Sequence, residues 1–379
     1  MPKQATIYLD YAAATPVDDK VMAAMKPFFA QDFYNPSATY GAARSVAKSL
    51  ALARSGVAHW LGARPSEITF TAGGSEANNL VIHGLMRQYP EANIVVSSIE
   101  HESVLDPAAN YDSRQVAVKP DGRLDIDDLR SKIDDKTVLI SIMYANNEVG
   151  TIQPIREIAK LVSEIKQGRG TKGLPLYLHT DACQAANYLD LHVARLGVDM
   201  MSVNGGKIYG PKQSGFLYVK AGIKLLPLIE GGGQERGLRA GTENVAAAVG
   251  LATALDLVQT DRHHEIDRLK KLQQEFLSAV EGLPETTING SQKYRLPNNI
   301  HVTFGGQDNE RLLIQLDEAG IMAAAGSACS ASSQEPSHVL GALGLSKSAA
   351  QASLRFTMGR GTTQPMIGRT SQVLNGLLH

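Results

Sequence analysis

The sequence predicts an α/β protein, with a mostly parallel central sheet in a large domain and a smaller α+β domain attached. Three observations predict it. Short apolar runs of strand length alternate with longer segments at helical spacing, which is the pattern of βαβ units. At about 150 residues per domain, the 379 residues suffice for roughly two domains, each with its own core. The 35 glycines outnumber the 8 Phe and 1 Trp, which points to tight turns and close backbone approaches rather than an aromatic core.

Taken in order, strands are expected at Glu67–Thr71, Asn93–Ser97, Thr137–Tyr144, Leu174–His179, Met200–Val203 and Gly215–Val219. Their near-continuous Val, Ile and Leu content suits strands buried on both faces. Helices fall between them, for example Ser75–Gln88 and Ile155–Lys166. From about Asp261 the texture changes to a charged helix, Asp261–Glu281, followed by short strands and helices. The large domain is therefore placed at residues 16–258 and the small one at 1–15 with 259–379. The small-residue run around Cys329 is read as a mobile loop over about 323–336, since it offers no large apolar side chain to lock it into a core.

Composition narrows the function. With 37 Lys+Arg against 38 Asp+Glu, no broad electrostatic footprint for nucleic acid or an anionic membrane is expected. Two cysteines, Cys183 and Cys329, cannot make a disulfide framework in a chain of this length, so thiol use would be chemical and the compartment reducing. No apolar run has the length of a signal peptide core or a membrane span, and a cytoplasmic location is expected.

Ligands of open parallel sheets bind beyond the carboxyl ends of the strands. Those segments are unusually polar here. The first strand leads into Thr71-Ala72-Gly73-Gly74-Ser75, a glycine turn opening a helix, whose amides and Ser75 hydroxyl suit a phosphate. Glu100-His101, Asn146-Asn147-Glu148 and Asp181-Ala182-Cys183-Gln184 follow the next strands, and Lys207 follows the fifth. Singly, each reads as a capped strand end, a loop amide or a solvated lysine. Together, a phosphate cradle, an imidazole, a carboxylate and a lysine on one sheet edge are what pyridoxal 5′-phosphate requires: a lysine for the Schiff base, a carboxylate for the pyridine nitrogen, and amides for the phosphate.

At these motifs the sequence resembles the cysteine desulfurases of the class V aminotransferase family, the branch serving iron–sulfur clusters and tRNA thiolation. The resemblance runs from Tyr8-Leu9-Asp10-Tyr11 to the last helix. It is carried by Asn35-Pro36-Ser37, Glu100-His101, Asn146-Asn147-Glu148-Val149-Gly150, Lys207-Ile208-Tyr209-Gly210-Pro211-Lys212, the block from Gly231 to Thr242, and Gly326-Ser327-Ala328-Cys329. It implies a fold-type I transferase acting on L-cysteine, with pyridoxal phosphate as cofactor, working as a homodimer and passing sulfur to an acceptor, an iron–sulfur scaffold or a tRNA-thiolation enzyme.

By the same resemblance, Lys207 would hold the cofactor and move the Cα proton, its pKa lowered for that work. Asp181 would pair with the pyridine nitrogen, Gln184 would bond the ring hydroxyl, and His101 would stack on the ring as an acid–base group. Asn146, favoured over Asn147, would touch cofactor or substrate. Gly74 and Ser75 stand where the family usually has Ala-Thr. Asn204 and Gly206 stand where it usually has Ser and His, so the Asn204 amide and the backbone N–H groups of Gly205 and Gly206 would help hold the phosphate. Thr242 would reach the phosphate from the other subunit. Arg355 would clamp the substrate carboxylate, a geometry that suits Arg and not Lys. Cys329 would attack the substrate sulfur and carry the persulfide. No resident metal is implied; Cys329 is the residue that could meet a nascent cluster on a partner. Cys183 is read as structural. Two alternatives stay open: a related lyase of selenocysteine-lyase type, and a non-catalytic sulfur-pathway partner suggested by Asn204 and Gly206.

Overall fold

The structure, a computed structural model, describes residues 6–170, 173–326 and 337–378. Its strands in chain order are β1 (Ile7–Tyr8), β2 (Ile68–Thr71), β3 (Asn93–Ser97), β4 (Asp112–Val116), β5 (Thr137–Ser141), β6 (Tyr177–Asp181), β7 (Met200–Asn204), β8 (Gly215–Val219), β9 (Thr286–Ile288), β10 (Asn299–Phe304), β11 (Ile321–Met322) and β12 (Ser353–Thr357).

Seven strands form the central sheet in the order β2-β8-β7-β6-β5-β3-β4. All neighbours pair in parallel except β8, which runs antiparallel to β7 and β2. The connection explains the exception. Residues 205–214 between β7 and β8 hold only a single turn of 3₁₀ helix, and a parallel return needs a crossover of about a dozen residues or more, usually helical. Strands β3, β5 and β8 are buried along their whole length, as their apolar composition requires.

The sequence reading placed six of these seven strands. The fourth predicted strand begins later than expected, at Tyr177, because Pro175 has no N–H to give the ladder. Strand β4, Asp-Ser-Arg-Gln-Val, lacks apolar periodicity because it is the sheet edge, where polar and charged residues block further pairing. Gly215 in β8 is required by proximity: a Cβ there would lie 2.7 Å from the Gly73 Cα, so this strand and the glycine turn touch through backbone alone.

The C-terminal part forms a second, antiparallel sheet, β12-β10-β9. Phe356 of β12 packs edge-on against Phe276 of the helix Arg262–Glu281, with centroids 5.1 Å apart. The N-terminal segment ties the two sheets together. β1 pairs with β11, Thr357 N–H bonds Leu9 O at 2.7 Å, and Thr15 N–H reaches Gly206 O at 3.2 Å. Residues 9–15 therefore run from β12 to the turn that carries Lys207. No helix among the described residues is long and apolar enough to cross a membrane.

Candidate active site

Two adjoining cavities open at the carboxyl ends of β6 and β7. One, of about 220 Å³, is lined among others by His101, Asn147, Asp181, Gln184 and Arg355. The other, of about 410 Å³, is lined by the Gly73-Gly74-Ser75 turn, Asn204, Gly206 and Lys212. Gly74, Ser75, Asn204 and Lys207 belong to both walls. A third cavity, of about 250 Å³, is lined by Phe70 and Arg239 and contains none of the predicted site residues.

The helix Gly74–Met86 starts at the glycine turn, with Gly73 at φ 153°. Its first intrahelical bond, Ala77 N–H to Gly73 O at 3.1 Å, leaves the amides of Gly74, Ser75 and Glu76 without an acceptor in the helix, the arrangement that binds anions. Gly74 also makes room for Cys183: a Cβ at 74 would stand 2.5 Å from the Cys183 Sγ. Gly74→Ala should lower the melting temperature by the equivalent of about 1–3 kcal/mol of overpacking. Adding Cys183→Ala should restore part of it in thermal melts, whereas simple additivity would contradict the contact.

Asp181 ends β6 and is 7% exposed. Its Oδ1 accepts from Cys183 N–H at 2.8 Å and its Oδ2 from Asn78 Nδ2 at 2.7 Å, with no ion pair among the described residues. It is a buried acceptor facing a cavity. Beneath it, His179 lies between the hydroxyls of Ser141 and Ser202 at 2.8 and 2.9 Å, and burial lowers its pKa to about 4, so it is a neutral structural link. Burial, reinforced by the Asp181 carboxylate, pushes the Cys183 thiol well above its usual range, in keeping with a structural cysteine.

Lys207 closes the turn after β7, and its Nζ donates to the carbonyls of Ala12 and Ala13 at 2.8 and 2.6 Å. His101 caps the helix Glu102–Ala108 by accepting the Ser103 N–H at its Nδ1, 3.0 Å away. Gln184 Nε2 donates to Ala12 O at 3.0 Å. Arg355 is 1% exposed and donates to Asp10 Oδ1 at 2.7 Å and Asn147 O at 3.1 Å, leaving its buried Nε without a partner.

Two expectations are corrected. Asn146 does not face the cavity: it is fully buried, its Nδ2 donates to Ile99 O, and its Oδ1 accepts from the amides of Glu148 and Val149, so it shapes the loop that presents Asn147. The amides of Gly205 and Gly206 are likewise engaged, with Ser214 O and with Asn204 Oδ1 at 2.8 and 2.9 Å. Gly206 contributes wall, not a donor, while the Asn204 Nδ2 stays beside the glycine turn, 3.8 Å from where a Gly73 Cβ would be. Thr242 is exposed and outside the cavity lining of its own chain. Cys329 lies outside the described residues, as does the rest of 327–336. The described flanks are anchored to the site: Ala324 bridges Arg355, Ser337 Oγ donates to Glu148 Oε2 at 2.6 Å, and His338 Nε2 meets Glu100 O at 2.9 Å.

Glu100, fully buried, accepts from Met143 N–H at 2.7 Å and has no partner for its Oε2. Burial, aided by Asp181, raises its pKa well above 4.5. A carboxyl that keeps its proton only when folded adds stability below its unfolded pKa and loses that stability as pH rises through the folded value. Wild type should therefore weaken relative to Glu100→Gln as pH is raised from about 5 to 8 in urea melts. Parallel curves would show that Glu100 ionises freely inside the fold.

Sequence reasoning missed the Ala12 and Ala13 carbonyls, Asn78 and Ser103. Asn78 carried a local signal, one helical turn beyond Ser75. The carbonyls carried none, because backbone groups are invisible to residue type.

The chain as a whole is similar to known proteins. The pattern of the family described as aminotransferase class-V matches residues 7–368. The chain is 40% identical over 380 residues to the cysteine desulfurase IscS of Dictyoglomus turgidum, covering 98% of this chain and 94% of that protein. A solved NifS-like protein superposes with a TM-score of 0.91 at 30% identity, covering 99% of both chains. SspA, solved in complex with cysteine, superposes at 0.82 with 36% identity, over 93% of this chain and 99% of that one.

Proposed function

The chain belongs to the class V aminotransferase family, and from that premise we propose that it is a pyridoxal phosphate-dependent cysteine desulfurase. It converts L-cysteine to L-alanine and leaves the sulfur as a persulfide on Cys329 for an acceptor protein, with iron–sulfur cluster assembly as the destination. The observation that carries this reading is the convergence of Lys207, Asp181, His101 and Arg355 on one cavity beside a glycine turn with unpaired amides.

The residues present fit the cofactor. A buried carboxylate with no ion pair among the described residues suits a donor such as a protonated ring nitrogen, and a glycine turn whose amides have no acceptor in the helix they open suits an anion. We assign the phosphate to Gly74, Ser75 and the Asn204 amide, the ring nitrogen to Asp181, and the ring face to His101, with Gln184 at the ring's polar edge. When bound, the cofactor supplies an electron sink next to the substrate's Cα. Lys207 moves the proton at that carbon. Arg355, which lines the cavity, receives the substrate carboxylate, and Asn147 stands beside it. The Cys329 thiolate bonds to the substrate sulfur; the carbon–sulfur bond breaks, its electron pair stays on the carbon skeleton, and a proton completes alanine.

We further propose that residues 16–258 hold the cofactor while 1–15 and 259–379 carry Arg355 and Cys329. Thr242 completes the phosphate site of a second copy in a homodimer. The test is to add pyridoxal phosphate and L-cysteine to purified protein, and to measure visible absorption, alanine, and the mass of the tryptic peptide holding Cys329. Colour, alanine and a peptide heavier by one sulfur are expected. Failure to take up the cofactor would overturn the reading, and alanine with unmodified Cys329 would replace the persulfide route by a direct lyase.

A further inference from the structure

Asn78 touches neither cavity, yet it links two of the residues that do. It is 0% exposed on the first helix beyond the glycine turn, and its one amide nitrogen donates to Asp181 Oδ2 at 2.7 Å and to Ser103 Oγ at 2.9 Å. Ser103 Oγ lies 3.0 Å from His101 Nδ1, which also accepts the Ser103 backbone N–H at 3.0 Å. Two unambiguous donors, the Ser103 amide and the Asn78 NH2, set the roles in this row. A backbone N–H can only donate, so His101 Nδ1 is an acceptor and the neutral ring carries its proton on Nε2. Ser103 Oγ accepts from Asn78, and its own proton is then available to share the Nδ1 lone pair with the backbone N–H. Both amide protons of Asn78 are then committed, one to the carboxylate and one to the hydroxyl that stands beside the imidazole. Its Oδ1 is buried without a partner, a cost that a residue selected for packing alone would avoid.

We propose that Asn78 is a positioning residue of the reaction, holding the Asp181 carboxylate and the His101 imidazole in one register through Ser103. This rests on the function proposed above, in which Asp181 meets the ring nitrogen and His101 the ring face. An asparagine satisfies the row because it offers two protons from one planar nitrogen. Aspartate has the same shape and no protons, and it would put a second carboxylate against Asp181.

The full-length protein, with its histidines labelled in ¹⁵N, tests this in Asn78→Ala, Asn78→Asp and Ser103→Ala, with His101→Gln to assign the signal. In wild type, His101 should show an Nε2–H ring with Nδ1 as acceptor. Asn78→Ala should move the His101 signals and weaken cofactor binding about tenfold, the scale of one lost bond to a charged group. Asn78→Asp should weaken it more than alanine does, the reverse of the order that a packing role predicts. In both, kcat should fall with the KM for cysteine within about twofold, since Arg355 is untouched. If Asn78 variants do not fold, Ser103→Ala, at a half-buried position, cuts the same row and should also shift His101 and weaken binding. Folded variants with wild-type His101 signals and wild-type cofactor affinity overturn the proposal. A wild type that takes up no cofactor would instead overturn the function, while the His101 signals would still decide whether Asn78 couples the two walls.

Discussion

Lys207→Ala should lower alanine production from cysteine by at least about 10³-fold, measured in single turnovers with added cofactor. General acid–base work by one positioned group is worth roughly 10²–10⁴-fold, and the lysine is also the proposed attachment point. The fold should survive the change. The Lys207 side chain crosses to the N-terminal segment, donating to the carbonyls of Ala12 and Ala13, two residues that line the cavity; after its loss Ala12 O keeps the Gln184 Nε2 donor, and only Ala13 O needs a new one. Thermal melts within a few degrees of wild type are the expected companion result. A variant retaining a tenth of wild-type turnover would move the proton transfer to another group lining the same cavity, with His101 as the first to test.

Arg355→Lys should raise the KM for L-cysteine by about 10–100-fold while kcat changes less, and Arg355→Ala should in addition destabilise the protein by on the order of 3 kcal/mol. The guanidinium already spans two groups, one Nη holding Asp10 and the other Asn147 O, and in the proposed function it receives the substrate carboxylate as well. An ammonium on a flexible stem cannot span three fixed acceptors. The alanine variant leaves Asp10, one-fifth exposed, facing a vacated pocket between the N-terminal segment and β12. Initial-rate kinetics and urea unfolding separate the two effects. Unchanged KM in the lysine variant would take Arg355 out of substrate binding and leave it a structural role.

Both variants act on groups whose identity was legible in the sequence while their partners were not. Lys207, Asp181 and His101 stand directly after apolar strand-length runs, so their place at one sheet edge follows from strand periodicity and parallel topology. Asn146 and Asn147 show where that legibility stops. Adjacent residues in a loop point in different directions, and the pattern of types says nothing about which one turns inward. The inward one became clear from the Asn146 Oδ1 bonds to two amides that its own loop leaves unpaired. Strand β4 was illegible for a related reason, since an edge strand is selected for polarity and not for burial.

By itself, then, the sequence determined the layer architecture, six of the seven central strands, and which residue types stand at their ends, because these depend on local periodicity and on residues close in the chain. The tertiary structure alone decided how each polar atom is engaged. Arg355 meets Asp10 across 345 positions, Lys207 meets Ala12 across 195, and Asn78 meets Asp181 across 103. Such partners are chosen by the packing of segments remote in sequence, and a buried polar group must take whatever acceptor or donor that packing brings to it.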